Sequence, residues 1–491
     1  MTSRILDLEP KAFFKYFEEI SNIPRGSYHE QAISNHLAHF ARERGLEVSQ
    51  DDIGSLLIKK PGTEGYESAA PLVFHGHMDM VLAKDEGVDH DMLEEGVRLR
   101  MDGDFITGSG TTLGADNGVG VAFMMAILGA EDLAHPPIQA IITVQEEVGK
   151  AGALHFDVKE VTGRRLIDFN WHDPNSIFAG CAGDISAWFE MPLPTAEAPQ
   201  DGVVIEINVH GLEGGHSEFD IHHGRGNAIM LIARLLRKAS DSAAAQLLTI
   251  DGGVNRYVIP NAAKASVFVP HKSSESLITE LQDLATSIKA EYRVSDPHLL
   301  IEIQRSASSV PDGPEAATAA ATSKVARVLN LLPNGVQSMS LTTDGLVESS
   351  NTVAQIEIRD GKLRVLSTIP SAVSSRKYEI LDRIRGLADI AGEGATVQTF
   401  ADCPEWPFQP ESPLLAQAKQ AYKTVHGRDP EVEVSHSSLE LGIFASKLPG
   451  VEMISVGPEA FDVHTTKERL NYKTVQPVWD VLVELLRRLD D

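Results

Sequence analysis

The sequence predicts an α/β fold interrupted by an inserted α+β module. Three observations carry this expectation. Up to about residue 190, short apolar strand-like runs alternate with helical periodicities, the pattern of a sheet covered by helices. From about 191 to 397 the strand patterns alternate apolar and polar residues, as strands with one wet face do. From about 398 to 491 the first character returns.

The elements follow in order. Phe13, Phe14, Phe17 and Ile20 recur at helical spacing, so 10–22 is expected to be an amphipathic helix. Pro71 to Phe74 is a short apolar run leading into polar residues, as at the end of a buried strand. Residues 118–130 read as a buried helix, 139–144 and 166–169 as two further strands. In the insert, strands are expected at 203–209, 266–269, 299–304, 352–358 and 363–369. Helices are expected at 225–237 and 277–292, and the Ala-rich stretch 315–323 also reads as helix. An amphipathic helix, 475–489, closes the chain.

Composition removes several classes of partner. Against 43 Lys and Arg stand 70 Asp and Glu, a formal net charge of −27, which repels phosphate backbones and argues against nucleic acid. Two cysteines, Cys181 and Cys403, form neither a disulfide framework nor a CxxC zinc site. The longest apolar stretch, Val119 to Ala130, is too short to span a bilayer. The opening MTSRILDLEPKAFFKYF lacks a basic n-region before an apolar one. A cytoplasmic protein without a membrane partner is the expectation.

Four short segments carry ligand-type side chains. In HGHMDMV, His77 and Asp79 are two apart and share one face of an extended chain. In GTTLGADNGVG, Asp116 sits in a Gly-rich turn at a helix start, where glycines let the backbone pack tightly. In TVQEEVG, Glu146 and Glu147 end a strand; neighbours point to opposite sides, which suits two roles for two carboxylates. The fourth is His464, in GPEAFDVHTTKERL. Each alone is a common surface or turn motif. Together, at strand ends of one α/β module, imidazoles and carboxylates suit zinc, manganese or cobalt.

These segments, with EEVGKAGA, GCAGD, GGHS, IHHGRGNA and HTTKERL, resemble the aminoacyl-histidine dipeptidases. That group lies within the wider family of two-zinc aminopeptidases, carnosinases, aminoacylases and glutamate carboxypeptidases. The resemblance covers nearly the whole chain. It implies a two-metal catalytic domain (1–190 and 398–491) interrupted by a lid (191–397), a homodimer, and hydrolysis of the amide bond of a dipeptide or similar small molecule. By the same resemblance, His77 would bind one metal, Asp116 would bridge both, and Glu147 and His464 would complete the second site. Asp79 would orient His77. Glu146 would be the general base, taking a proton from water and delivering it to the leaving amine. His216 matches a lid histidine that reaches the substrate carbonyl, an oxyanion donor. Arg225 and Asn227 match the family's helix start after IHHGRGNA, and His436 and Glu440, in VSHSSLELGIF, a segment beside the cleft; Arg225 and Glu440 are by this resemblance candidates to touch substrate.

Four departures bear on function. Asn170 stands where the family carries a metal-binding Asp, and an amide oxygen is a neutral, weaker ligand. Asp168 lies about 6.5 Å away at strand rise and could replace it only with a backbone shift; His172 and Asp173 are other nearby candidates. Pro370 stands where an Arg would hold the substrate carboxylate, and a bidentate clamp has no simple substitute. Arg256 and Arg225 are candidates to replace it. Tyr257 replaces a lid Asn, and Glu218 adds a negative charge beside His216. Two readings follow. One is a metal-dependent amide hydrolase with an altered substrate. The other is a non-catalytic or single-metal binding protein on a peptidase scaffold. Retention of Glu146 favours the first, and metal content after purification separates them.

Overall fold

The computed structural model describes residues 5–199, 201–306 and 315–490. The chain forms two compact units: one of Met1–Gly180, Trp406–Val434 and Glu440–Asp491, the other of Cys181–Glu405 and Ser435–Leu439. The divisions fall near 180 and 405, whereas positions 190 and 397 both lie inside strands, Ser176–Pro192 and Thr396–Cys403.

The first unit is built on a mixed sheet in the order Glu47–Gln50, Leu56–Lys60, Ile138–Thr143, Leu72–His77, Arg165–Asp168, Glu452–Ser455. Leu72–His77 runs parallel to both neighbours, and Glu452–Ser455 runs parallel to Arg165–Asp168. Leu72–His77 and Ile138–Thr143 are buried along their whole length. That explains their near-continuous apolar sequence, since a parallel strand is covered on both faces. The expected strands and the 10–22 helix are present, the latter as Lys11–Ser21. Helix Ala115–Gly129 buries almost every side chain, and Phe123 packs against Phe13 (centroids 4.6 Å) and Phe169 (5.9 Å). A small antiparallel sheet, Leu99–Asp102, Phe105–Gly108, Arg469–Asn471 and Ala460–Phe461, frames the loop that carries His464.

The second unit is an antiparallel sheet flanked by helices Ala228–Ala243, His271–Glu291, Ala319–Leu331 and Ser374–Ala391. Along Gly202–His210, Ile205, Ile207 and Val209 point inward and alternate with half-buried residues, as the sequence pattern requires. Three expectations are corrected here. The Ala-rich 315–323 is not one helix: Glu315–Ala317 pairs antiparallel with Thr195–Glu197, and the helix begins at Ala319 behind the Thr318 cap. The helix expected from Arg225 begins at Ala228, because Asn227 caps it by accepting from the N–H groups of Ile229 and Met230 (3.0 and 3.4 Å). The helix expected from 277 starts earlier, at His271. The long strand Ser176–Pro192 was not legible, because its run of Ala, Gly and Cys gives no period. Cys181 and Cys403 are both buried. Among the described residues, no helix is long and apolar enough to cross a membrane.

Candidate metal centre

The parallel strands of the first unit deliver ligand-type residues to one end of the sheet. His77 is the last residue of its strand. Its Nε2 lies 3.0 Å from Asp116 Oδ1, and its Nδ1 lies 3.4 Å from Asp79 Oδ1. Burial alone would lower the His77 pKa, but the carboxylates of Asp116 and Asp79 outweigh it and hold the ring well above the usual histidine range. Asp79 is fully buried. It accepts from the backbone N–H of Glu146 (3.1 Å) and Glu147 (3.3 Å) and from the Ser27 hydroxyl (2.7 Å). It therefore ties the strand bearing His77 to the turn bearing both glutamates. That is a positioning role.

Asp116 opens helix Ala115–Gly129. Gly114 ahead of it has φ +70°, and a side chain there would also collide with Arg25 and Met80. The buried Glu468 carboxylate accepts from the N–H groups of Leu113, Gly114 and Ala115 (each 2.8 Å) and Asp116 (3.3 Å), closing the exposed donors of the helix start. Arg25, also buried, donates to the carbonyls of Met78 (3.1 Å), Asp79 (3.3 Å) and Gly114 (2.5 Å). One guanidinium thus joins the loop after His77 to the loop before Asp116. Neither Arg25 nor Glu468 stood out in the sequence, since each sits in a short polar segment without a spacing signature.

On the far side of Asp116, His464 Nε2 lies 3.2 Å from Oδ2 and 2.9 Å from Glu147 Oε1. Asp116 and Glu147 raise the His464 pKa to about 10. Glu147 Oε1 is buried yet takes no aligned hydrogen bond. His464 Nε2 and Glu147 Oε1 thus stand 2.9 Å apart without an aligned hydrogen bond, a geometry that fits convergence on a shared cation. His77, Asp116 and Glu147 each offer a ligand atom, all within 4.8 Å of one another. Glu146, half-buried next to this group, has its pKa raised by burial to about 8.

The remaining candidates are placed as follows. Asn170 lies at the centre, its Nδ2 3.3 Å from His77 Nε2. Asp168 is committed elsewhere: it pairs with His75 Nδ1 (2.7 Å) and accepts from the Asn170 N–H (3.0 Å) and the Ser455 hydroxyl. Asp173 accepts from Asn175, capping its own turn. Glu440, expected to touch substrate, is buried inside the first unit. It accepts from Thr143 Oγ1 (2.9 Å) and Ala153 N–H (3.1 Å), and lies 3.1 Å from His75 Nε2.

In the second unit, His216 Nδ1 accepts from the N–H groups of Glu218 (3.2 Å) and Phe219 (3.4 Å). Burial lowers its pKa, so the ring is neutral, and with Nδ1 accepting, the proton resides on Nε2 as a donor. The Glu218 carboxylate turns away to accept from Ser438 N–H (3.3 Å). Arg225 donates to Gly214 O (2.7 Å) within its own loop. Arg256 stacks over the Tyr257 ring (4.3 Å), donates to Ser186 Oγ (3.1 Å) and lies 3.6 Å from Asp184 Oδ2. Asp184 is the cross-strand partner of Pro370, so a cation does stand beside that strand position. His436 is buried and bonded to Ser350 Oγ (2.8 Å).

The chain is 30% identical over 487 residues to the cytosol non-specific dipeptidase of Escherichia coli (strain K12), covering 99% of each. The structure of aminoacylhistidine dipeptidase from Vibrio alginolyticus superposes with a TM-score of 0.92 at 31% identity, over 99% of this chain and 98% of that one. Aminopeptidase PepT from Bacillus cereus ATCC 10987 shares the fold more distantly, with a TM-score of 0.57 at 15% identity over 99% of this chain and 100% of that one. The chain therefore shares its fold with these two proteins. The model of peptidase family M20/M25/M40 matches residues 73–488, and the chain belongs to that family.

Proposed function

We propose that the protein is a metal-dependent dipeptidase that hydrolyses the amide bond of dipeptides or dipeptide-like small molecules. The observation that carries this is the convergence of His77, Asp116, Glu147 and His464, with Asp116 facing a histidine on each side and Glu146 alongside. The names of the two full-length relatives, a non-specific dipeptidase and an aminoacylhistidine dipeptidase, point to the same substrate class.

His77, Asp116, Glu147 and His464 would hold two divalent ions, zinc in the first instance and manganese or cobalt as alternatives. Bound there, such ions polarise a carbonyl and acidify water. The chain's own residues do the rest. Asp79 fixes the His77 ring by facing its Nδ1, which keeps Nε2 directed at Asp116. Glu146 takes the proton of the attacking water and returns it to the leaving amine; a raised pKa suits a group that must both accept and donate near neutrality. The family resemblance gives His216 the part of an oxyanion donor, for which its Nε2–H is suited. Arg256 and Arg225 are the candidates to hold the substrate carboxylate in place of the Arg that Pro370 replaces, with the Arg256 charge partly offset by Asp184. We further propose a cytoplasmic homodimer, on the family resemblance and the cytosolic name of the Escherichia coli relative.

The test is a paired substrate panel with added zinc, manganese or cobalt. Each Xaa-His or other dipeptide is assayed beside its C-terminal amide. Cleavage of free dipeptides is expected. Preference for the amides would show that Pro370 has moved the enzyme to carboxylate-free substrates, and silence on both would sink the dipeptidase reading.

A further inference from the structure

Asn170 and His172 follow the same strand, Arg165–Asp168, and hydrogen bonding separates what each can offer a cation. The backbone N–H of His77 can only donate, so Asn117 must present Oδ1 to it (3.3 Å). Asn117 Nδ2 then donates to Phe169 O (2.9 Å) and to Asn170 Oδ1 (2.9 Å). This fixes the Asn170 amide with its NH2 group toward His77 Nε2 and its oxygen toward Asn117. An amide NH2 has no lone pair for a cation. The Oδ1 side of Asp116 therefore has His77 beside it and a donor group where a ligand is needed.

The Oδ2 side is richer. His464 Nε2 lies 3.2 Å away and Glu147 flanks it, while His172 Nε2 lies 3.9 Å from the same oxygen. Donors on a tetrahedral zinc at about 2.0–2.1 Å stand about 3.4 Å apart, so a side-chain shift of about half an ångström brings His172 into the shell. The segment presenting it is anchored: Trp171 Nε1 donates to Ser176 Oγ (2.7 Å), and its ring stacks on Phe178 at 4.3 Å. Asp168 and Asp173, the other nearby carboxylates, are committed to His75 and Asn175.

We infer that His172, and not Asn170, is a metal ligand, and that the centre is asymmetric. Asp116 Oδ2, Glu147, His464 and His172 form a strong four-donor site, whereas His77 and Asp116 Oδ1 form a weak one. Two carboxylates and two neutral imidazoles balance a divalent charge and suit tetrahedral zinc. The inference rests on the metal-dependent reading given above.

The experiment is zinc titration of the full-length apoprotein against a competing chelator, with the absorption spectrum of the cobalt-substituted protein as a second readout. Circular dichroism confirms that each variant is folded, and His172→Gln accompanies His172→Ala. The wild type should hold one zinc at least about tenfold more tightly than the second. His172→Ala and His172→Gln should each weaken the tight site by about tenfold or more and shift the cobalt bands. Asn170→Ala should leave the tight site and the bands unchanged, while Asn170→Asp should strengthen the second site. Zinc affinity and cobalt bands indifferent to His172, or two equally tight ions of which one is lost in Asn170→Ala, would overturn the assignment while leaving a metal enzyme. No zinc bound by any of the proteins would overturn the metal reading as well.

Discussion

Replacing Arg25 by methionine tests whether one buried cation holds the centre together. Its guanidinium donates three bonds to the carbonyls of Met78, Asp79 and Gly114. Bonds from a charged donor contribute about 1.5–3 kcal/mol each, so roughly 6 kcal/mol is at stake. Burial opposes this: it drives the Arg25 pKa down to about 10, although Glu468 and Asp79 pull the other way. At about 1.36 kcal/mol per unit, the methionine variant recovers roughly 3 kcal/mol of that cost. The net expectation is a loss of about 3 kcal/mol of unfolding free energy, within the range for breaking a buried charged interaction. The side chain also joins two ligand-bearing loops, so zinc affinity should fall by about tenfold or more. Urea unfolding of the apoprotein reads the first number and chelator competition the second. Arg25→Met within about 1 kcal/mol of wild type and with unaltered zinc affinity would refute the reasoning, because the bonds would then be worth no more than the burial costs.

Four other outcomes are expected. Glu146→Gln should lower kcat by about 10²- to 10⁴-fold while the zinc content stays the same; retention of more than a tenth of the activity would remove Glu146 as base. Chelator treatment should abolish hydrolysis and lower the unfolding free energy, by about 4 kcal/mol relative to zinc at a thousandfold above its Kd, with both restored by zinc. Glu440→Gln should cost about 3 kcal/mol by leaving His75 with one carboxylate, and should leave KM unchanged; a tenfold rise in KM without loss of stability would return Glu440 to the substrate. His436 is held neutral by burial, its pKa lowered to about 3, so the unfolded chain takes up the proton first. Its contribution is fully present above the unfolded value of about 6.5 and falls by about 1.4 kcal/mol per pH unit below it. Urea unfolding of His436→Gln should be less steep in pH than wild type over that window.

The parts of the site that were legible in the sequence are those whose chemistry sits in a local motif. His77 and Asp79 follow an apolar run, Glu146 and Glu147 end another, and Asp116 lies in a glycine-rich turn; all occupy sheet-end positions in the structure. What could not be read depends on distant partners. Glu440 sits in a motif that looks like a cleft segment, but the cleft role disappears once Thr143, Ala153 and His75 are found around it. Arg25 and Glu468 have no periodic or spacing signal, because their function is to satisfy backbone groups 53 to 355 positions away. The Ala-rich 315–323 misled for the opposite reason. Helix propensity is a weak prior, and pairing with Thr195–Glu197 overrode it in the first three residues.

The Glu468 carboxylate has a kinetic consequence. It bonds to amides 352 to 355 positions earlier in the chain. Closing a loop of that length costs about 5 kcal/mol of chain entropy, so these bonds form only after the intervening sheet has brought the ends together. They are late contacts, and late contacts govern how fast a structure opens more than how fast it assembles. Deuterium uptake at Leu113 to Asp116 should therefore follow the opening of the segment around Glu468 and not the fraying of the helix those amides begin.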